Sequence, residues 1–546
     1  MESVTVVLVM LLAVVVSSAC ARLSPIPVPQ PLVQIAFGAL IGAATSMSVT
    51  LEPEIFFLLF LPPLLFLDGW RIPKEGLFRD ASIIMELAFG LVVFTVLGVG
   101  YFVNWLIPAM PLAVAFALAA VLSPTDPIAV SSIASRTSVP GRLMHILEGE
   151  SLLNDASGLV CMRFAVAAAL TGAFSLPQAF GTFLWVAIGG VAIGVGVTWA
   201  VVRLKSAISG RVGEETGSYI LVSLLVPFAA YLFAEHLHCS GILAAVGAGV
   251  AMSYAELGGG ALAVTRVRRH AVWDSVQFAF NGVIFVLLGE QLPRIVAGAA
   301  RVVRETGHHD PVWLIVYVVA INVALAALRF TWVWVSLRFT LFRAARRGRK
   351  VEKLSWRILA ATTLAGARGA ITLAGVMSLP LVLRDGSPFP ARDLAIFLAA
   401  GVIIVSLAAA AIGLPFLMKG LNVPPEPQHQ REEDAARIAA ATAAIEAVAH
   451  AQHQMSGDGA AADLYAEAGA RVMAVYRARI DARSKTDAEA DLALKAERIE
   501  RELRLVALRA ERTEYFRLAR RRALGEDALR RLVRDADLLE TQLNPG

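Results

Sequence analysis

Between residues 4 and 418 the chain is a near-continuous succession of apolar stretches, and that pattern leaves few folds open. Thirteen segments read as apolar, near 4–21, 31–48, 54–68, 82–106, 111–133, 145–171, 178–202, 217–236, 241–255, 272–293, 311–337, 358–381 and 394–418. An upright helix needs about 20 residues to cross the hydrocarbon of a bilayer, and several segments are shorter. In lipid every backbone N–H and C=O must find its partner inside the chain, which for such segments means helices. The expectation is an all-α polytopic membrane protein. It has about 13 transmembrane helices over residues 1–420 and a helical cytoplasmic tail over residues 421–546.

Composition agrees once it is divided. The chain is 57% hydrophobic overall, but the residues after Pro424-Pro425-Glu426-Pro427 are charged and Ala-rich, with a Ser-Gly-Asp-Gly break at 456–459. Such a tail reads as solvated helices or a partner face. The first segment follows no Lys or Arg, which a secretory leader would carry, so it reads as a spanning helix. Cys20, Cys161 and Cys239 are far apart and suggest neither a disulfide framework nor a metal cluster. No cofactor-binding motif is present, and no nucleic-acid partner is expected. The basic residues instead follow alternate loops. One set holds Arg22, Arg71, Lys74, Arg79, Arg136, Arg142, Arg203, Lys205, Arg211, Arg266, Arg268, Arg269 and a cluster running from Arg338 to Arg357. The opposite set holds only Arg294, Arg301, Arg304, Arg384 and Arg392. Basic loops stay in the cytoplasm, which puts the N-terminus outside and the tail inside.

Two segments are interrupted. The fifth carries Ser123-Pro124-Thr125-Asp126-Pro127, where two prolines remove backbone donors. The twelfth carries Gly366-Ala367-Arg368-Gly369. Five plus seven is twelve, so the breaks fall at matching places in two six-helix halves, 1–6 and 8–13. Paired broken helices of this kind mark an inverted-repeat transporter whose site lies where the breaks cross.

The sixth segment carries Glu150-Ser151-Leu152-Leu153-Asn154-Asp155 within apolar sequence. On a helix Ser151 and Asp155 lie one turn apart, as do Glu150 and Asn154, so one face is polar. A charge in mid-membrane persists only with a partner or a purpose. Asp155, short of water, takes either a proton or a small cation, and the two compete there. Thr125 adds a hydroxyl and freed carbonyls of the kind a hard cation takes. Asp126 is either a ligand or a counter-charge to the half-helix ends. Glu150 needs a buried cation, and Arg329 and Arg368 are the two choices. Arg163 stands eight residues after Asp155 and either snorkels to the interface or holds a gate. Asp68 follows the run from Phe60 to Leu67 and either lines the inner mouth or sits at the interface beside Arg71. Glu235, His236, His238 and Cys239 lack further ligands for a metal site. The residues alone leave three readings: a cation/proton antiporter, a cation channel, or a non-transporting membrane sensor whose tail signals.

Six stretches decide among these. LPPLLFLDGW (61–70), LSPTDPIAV (122–130), GESLLNDASG (149–158), AEHLHCSGILAAVGAG (234–249), FNGVIFVLLG (280–289) and GARGAITLAG (366–375) resemble the monovalent cation:proton antiporter-1 family, the sodium/proton exchangers. The overall pattern is most similar to its bacterial inner-membrane branch. The resemblance implies a homodimer in the lipid bilayer whose six-helix core carries the ion in an elevator-like motion. It implies exchange of Na⁺ or Li⁺ for H⁺, with K⁺ for H⁺ as the alternative. Asp155 is then the ion- and proton-binding carboxylate, with Asn154, Ser151, Thr125 and Asp126 around the ion and Na⁺ held by Asp155, Ser151 and Thr125. Asn154 before Asp155, rather than a second acid, implies electroneutral exchange. Arg329 is the implied partner of Glu150, and Arg368 matches the arginine of the second broken helix. Many members place an acid directly after the PPLLF-type run, where this chain has Leu67 and then Asp68.

Overall fold

The computed structural model describes residues 2–24, 28–44, 53–72, 81–126, 141–171, 176–212, 215–257, 263–305, 312–346, 356–383, 386–419, 427–455, 462–484, 488–521 and 523–543. Outside them lie Pro127 with the remainder of the fifth segment, and the loop residues Lys74, Arg79, Arg136, Arg347, Arg349, Lys350, Lys353 and Arg384. Residues 424–426 and the 456–459 break also lie outside them. The chain divides into two compact units, Met1–Val423 and Pro424–Gly546.

The first unit is built of α1 (Glu2–Leu23), α2 (Gln30–Ala44), α3 (Pro53–Arg71), α4 (Ala81–Leu106), α5 (Leu112–Leu122), α6 (Gly141–Thr171) and α7 (Leu176–Val212). It continues with α8 (Thr216–His236), α9 (Gly241–Leu257), α10 (Ala263–Glu305), α11 (Val312–Arg346), α12 (Trp356–Leu364), α13 (Ala370–Met377) and α14 (Arg392–Met418). Among the described residues eight helices are long and apolar enough to cross a membrane: α1, α4, α6, α7, α8, α10, α11 and α14. Large apolar side chains on them face outward, among them Leu8, Trp105, Trp185, Trp199 and Ile315. Lipid is the solvent that such a surface suits.

Several helices outrun their apolar segments. α10 covers 263–305 where hydropathy marks 272–293, and α7 covers 176–212 where it marks 178–202. Hydropathy stops at the edge of the oil, whereas a helix continues until its backbone is broken. α4 contains a π-helical turn, Glu86–Leu91, which no residue pattern announced. The Ser157 hydroxyl of α6 donates to the Ala88 carbonyl within that turn (2.7 Å). Such wide turns inside helices tend to sit at functional places.

The helices form two interleaved groups. α4, α5, α6, α11, α12, α13 and α14 pack on one another, while α2 packs on α10 and α9 packs on α3, α7 and α8. α5 is apolar all round and correspondingly buried from Val114 to Leu122, apart from partly buried Phe116. Small residues set the close approaches in the second group. Gly38 of α2 abuts the Val286 carbonyl of α10, and Gly249 of α9 abuts the Phe66 carbonyl of α3. A methyl group at either place would displace a backbone.

The second unit holds α15 (Pro427–Met455), α16 (Ala462–Ser484), α17 (Ala488–Arg520) and α18 (Glu526–Leu543). α15 packs on α16 and α17 packs on α18.

Candidate functional site

The two interrupted segments meet. α5 stops at Leu122 and the chain runs on without helix through Asp126; α12 stops at Leu364 and α13 begins at Ala370. The Asp126 N–H donates to the Ala367 carbonyl (2.7 Å), so the two breaks are bonded backbone to backbone. Arg368 is buried there. Its Nε donates to the Leu122 carbonyl (2.9 Å), its Nη1 to the Gly366 carbonyl, and its N–H to the Ser406 hydroxyl (3.1 Å). The cation therefore sits on carbonyls left open where α5 and α12 end. Asp126 lies on the other side of the crossing, against Gly369 at the start of α13. A positive group at helix C-termini and a negative one at a helix N-terminus match the partial charges of the half-helices. Gly369 is required by contact, because a Cβ there would run into the Asp126 carboxylate.

α6 supplies the wall opposite. The Ser151 hydroxyl donates to the Thr125 carbonyl (2.8 Å), and Asn154 Nδ2 donates to Thr125 Oγ1 (3.0 Å). Thr125 Oγ1 in turn donates to Glu150 Oε1 (3.4 Å). Glu150, wholly buried, forms a two-pronged ion pair with Arg329 of α11, Nη1 to Oε1 and Nη2 to Oε2 (2.8 Å for the second). Arg329 Nε donates to the Thr362 carbonyl of α12 (3.1 Å). Of the two cations open to Glu150 from the residues alone, Arg329 makes the contact and Arg368 holds carbonyls. A planar guanidinium and a carboxylate satisfy each other at both oxygens, which is what a pair without water needs.

Within this frame lies a cavity of about 40 Å³. Ser151, Asp155, Thr125 and Asp126 line it from α6 and the first break, and residues 369–372 from α13. Asp68 of α3 closes it from the second helix group, with Gln277 and Asn281 of α10. Three carboxylates, three hydroxyls and two amides around so small a space form an oxygen-rich set suited to a cation stripped of most of its water. Asn154 is one layer back, holding Thr125 rather than lining the cavity. Asp68 turns to the cavity while its neighbour Arg71 pairs with Asp274 and donates to Gln277 Oε1 (2.7 Å). Arg163 lies two turns along α6, pairing with Glu235 of α8 (2.9 Å) beside a separate cavity of about 310 Å³. Glu235 also accepts the Gly241 N–H (3.2 Å), so its carboxylate ties α6 to the start of α9.

Gln277 and Asn281 were not singled out from sequence. They stand four apart on one face of an apolar helix, the same signal that marks Ser151 and Asp155, but neither carries a charge.

Comparison with known proteins places the chain. Residues 7–420 match the family described as sodium/hydrogen exchanger, transmembrane. A protein of Escherichia coli (strain K12) named "Uncharacterized Na(+)/H(+) exchanger YjcE" is 40% identical over the full length of this chain and 99% of its own. A "Sodium, potassium, lithium and rubidium/H(+) antiporter" of Bacillus pumilus is 41% identical over 76% of this chain and 61% of its own length. Among solved structures, the sodium proton antiporter MjNhaP1 from Methanocaldococcus jannaschii superposes with a TM-score of 0.57 at 17% identity, over 77% of this chain and 99% of that one. That likeness extends the agreement to the fold. The chain belongs to the transmembrane sodium/hydrogen exchanger family.

Proposed function

We propose that the chain is a secondary antiporter that exchanges Na⁺ or Li⁺ for H⁺, with both ions competing for Asp155. The observation that carries this reading is the small oxygen-lined cavity where Asp155, Ser151, Thr125 and Asp126 converge on the crossing of two broken helices. A bare carboxylate there is costly to move through hydrocarbon, whereas a protonated or cation-loaded one is nearly neutral. Only filled states cross, and that restriction couples the two fluxes. Na⁺ is held by Asp155, Ser151 and the Thr125 oxygens. Glu150 and Arg329 fix Thr125, Arg368 and Asp126 hold the crossing, and Asp68 stands at the inner mouth. The Arg163–Glu235 pair joins the two helix groups on the outer side and acts as a gate there.

The transport cycle is elevator-like, with α4–α6 and α11–α14 moving against the remaining helices, and the protein works as a homodimer. The first unit crosses a bacterial inner membrane thirteen times, built on two inverted six-helix repeats, with the N-terminus periplasmic and the second unit cytoplasmic. Because the one acid of the Asn154-Asp155 pair alternates between one cation and one proton, exchange is electroneutral.

A K⁺/H⁺ antiporter of the same fold is the second reading, motivated by the Bacillus pumilus relative, whose name includes potassium and rubidium beside sodium and lithium. Everted membrane vesicles with a pH-sensitive dye, given Na⁺, Li⁺ and K⁺ in turn, separate the readings. Proton movement on Na⁺ and Li⁺ pulses, unchanged when the membrane potential is clamped to zero, supports the proposal. A response to K⁺ alone supports the alternative. Cation flux without proton movement makes the protein a channel, and no flux makes it a sensor.

A further inference from the structure

The family match ends at residue 420, so it assigns nothing to the second unit. Within that unit α17 has two apolar faces, and α18 packs on one. On that face Leu505, Leu508, Arg512 and Tyr515 are half-buried, and Arg512 pairs with Asp537 and Glu540 of α18 (both 2.7 Å). On the opposite face Leu492, Ile499, Leu503 and Val506 are each more than half exposed. With exposed Ala496 and Ala510 they fall at 492, 496, 499, 503, 506 and 510, alternating steps of four and three. That is the repeat of a coiled-coil seam, which needs another helix to close it.

We propose that α17 of a second copy of the chain closes this seam, with the two helices parallel. The argument for this occupant is the charge beside the seam. In a parallel pair, the position before one seam residue faces the position five further on in the partner. Lys495 then meets Glu500, Arg509 meets Glu514, and Glu502 meets neutral Ala507. Every charged pairing is attractive. An antiparallel pair that kept the same six seam residues would set Glu500 against Glu500, Glu502 against Glu502 and Lys495 against Arg509. Each of these is repulsive, so the chain's own charges select self-pairing in one direction. The partners these groups have now do not compete strongly. Glu500 meets Arg504 at 2.5 Å, Arg509 meets Glu540 at 3.4 Å, and Glu514 meets Arg517, all surface pairs of little weight. The seam spans 18 residue steps, about 27 Å. A seam that short holds weakly in free solution. Two copies confined to one membrane supply the effective concentration it needs.

The test uses the full-length chain in membranes, with Cys20, Cys161 and Cys239 replaced by serine and one cysteine introduced at a time. Mild oxidation should join Ile499→Cys and Val506→Cys chains into disulfide dimers at least tenfold faster than Arg501→Cys and Arg504→Cys, which point away from the seam. Adding Leu503→Glu to the Val506→Cys chain should slow its dimer formation about tenfold. Equal rates at all four positions would overturn the proposal, as would seam positions as slow as the controls. Cross-links joining Ala496→Cys chains to Val506→Cys chains in preference to Val506→Cys with itself would overturn the parallel arrangement. A seam shielded from maleimide yet not self-linking would mean another surface covers it, and the proposal would fall.

Discussion

At the scale of single residues, Glu150 and Arg329 form a demanding contact. Both are buried, and each satisfies a charge that water would otherwise have to solvate. Removing one partner leaves the other stranded, at about 3–5 kcal/mol. We expect Glu150→Ala or Arg329→Ala to lower the thermal unfolding temperature in detergent sharply, and the Glu150→Ala, Arg329→Ala double variant to lose less than the two single variants combined. Additive losses would show that the pair does not act as a pair. The sequence made part of this legible. Glu150 and Asn154 at i and i+4, and Ser151 and Asp155 likewise, mark a polar face before any fold is known. The choice between Arg329 and Arg368 was not legible from spacing, because both are lone cations in apolar helices and only the resemblance distinguished them. Gln277 and Asn281 escaped for a different reason. Neutral amides in an apolar helix carry too little desolvation penalty to demand an explanation, and only the apposition of α10 to α3 and α13 gives them one.

At the scale of elements the breaks matter more than the helices. Proline at 124 and glycines at 366 and 369 announce where α5 and α12 must stop. They do not announce that the Asp126 N–H reaches the Ala367 carbonyl, nor that Arg368 covers the carbonyl of Leu122. Those are tertiary bonds between segments more than two hundred residues apart, beyond the reach of any local pattern. The π-helical turn in α4 is similar, since its open carbonyl is answered by Ser157 of a different helix. Gly369→Ala tests the crossing directly. The added methyl must push Asp126 or α13 aside, at a cost of about 1–3 kcal/mol. We expect reduced exchange and a lower unfolding temperature, read together by vesicle transport and by thermal melting. The same substitution at Gly196 or Gly217, where a Cβ meets nothing, should leave both readouts unchanged.

At the scale of the whole molecule, hydropathy located each apolar helix but not its ends, and the crossings of the bilayer are not fixed by length and composition alone. Only eight helices among the described residues are individually long and apolar enough to span. Short α5 and α9 are largely buried in the bundle, where neighbouring helices rather than lipid determine how long a helix must be. The cavity takes one wall from each of two helix groups, Asp155, Ser151, Thr125 and Asp126 from one and Asp68, Gln277 and Asn281 from the other. The proposed elevator-like cycle would move those groups against each other and so open and close this cavity. The measurement that bears on this most directly is Na⁺-driven proton movement in everted vesicles across pH, for the native chain and for Asp155→Asn at equal membrane abundance. Competition at one carboxylate predicts an apparent Na⁺ affinity that weakens by about tenfold per pH unit on the acid side of its titration, and no exchange from the variant. Native-like exchange from Asp155→Asn, or an Na⁺ affinity indifferent to pH, would contradict the account.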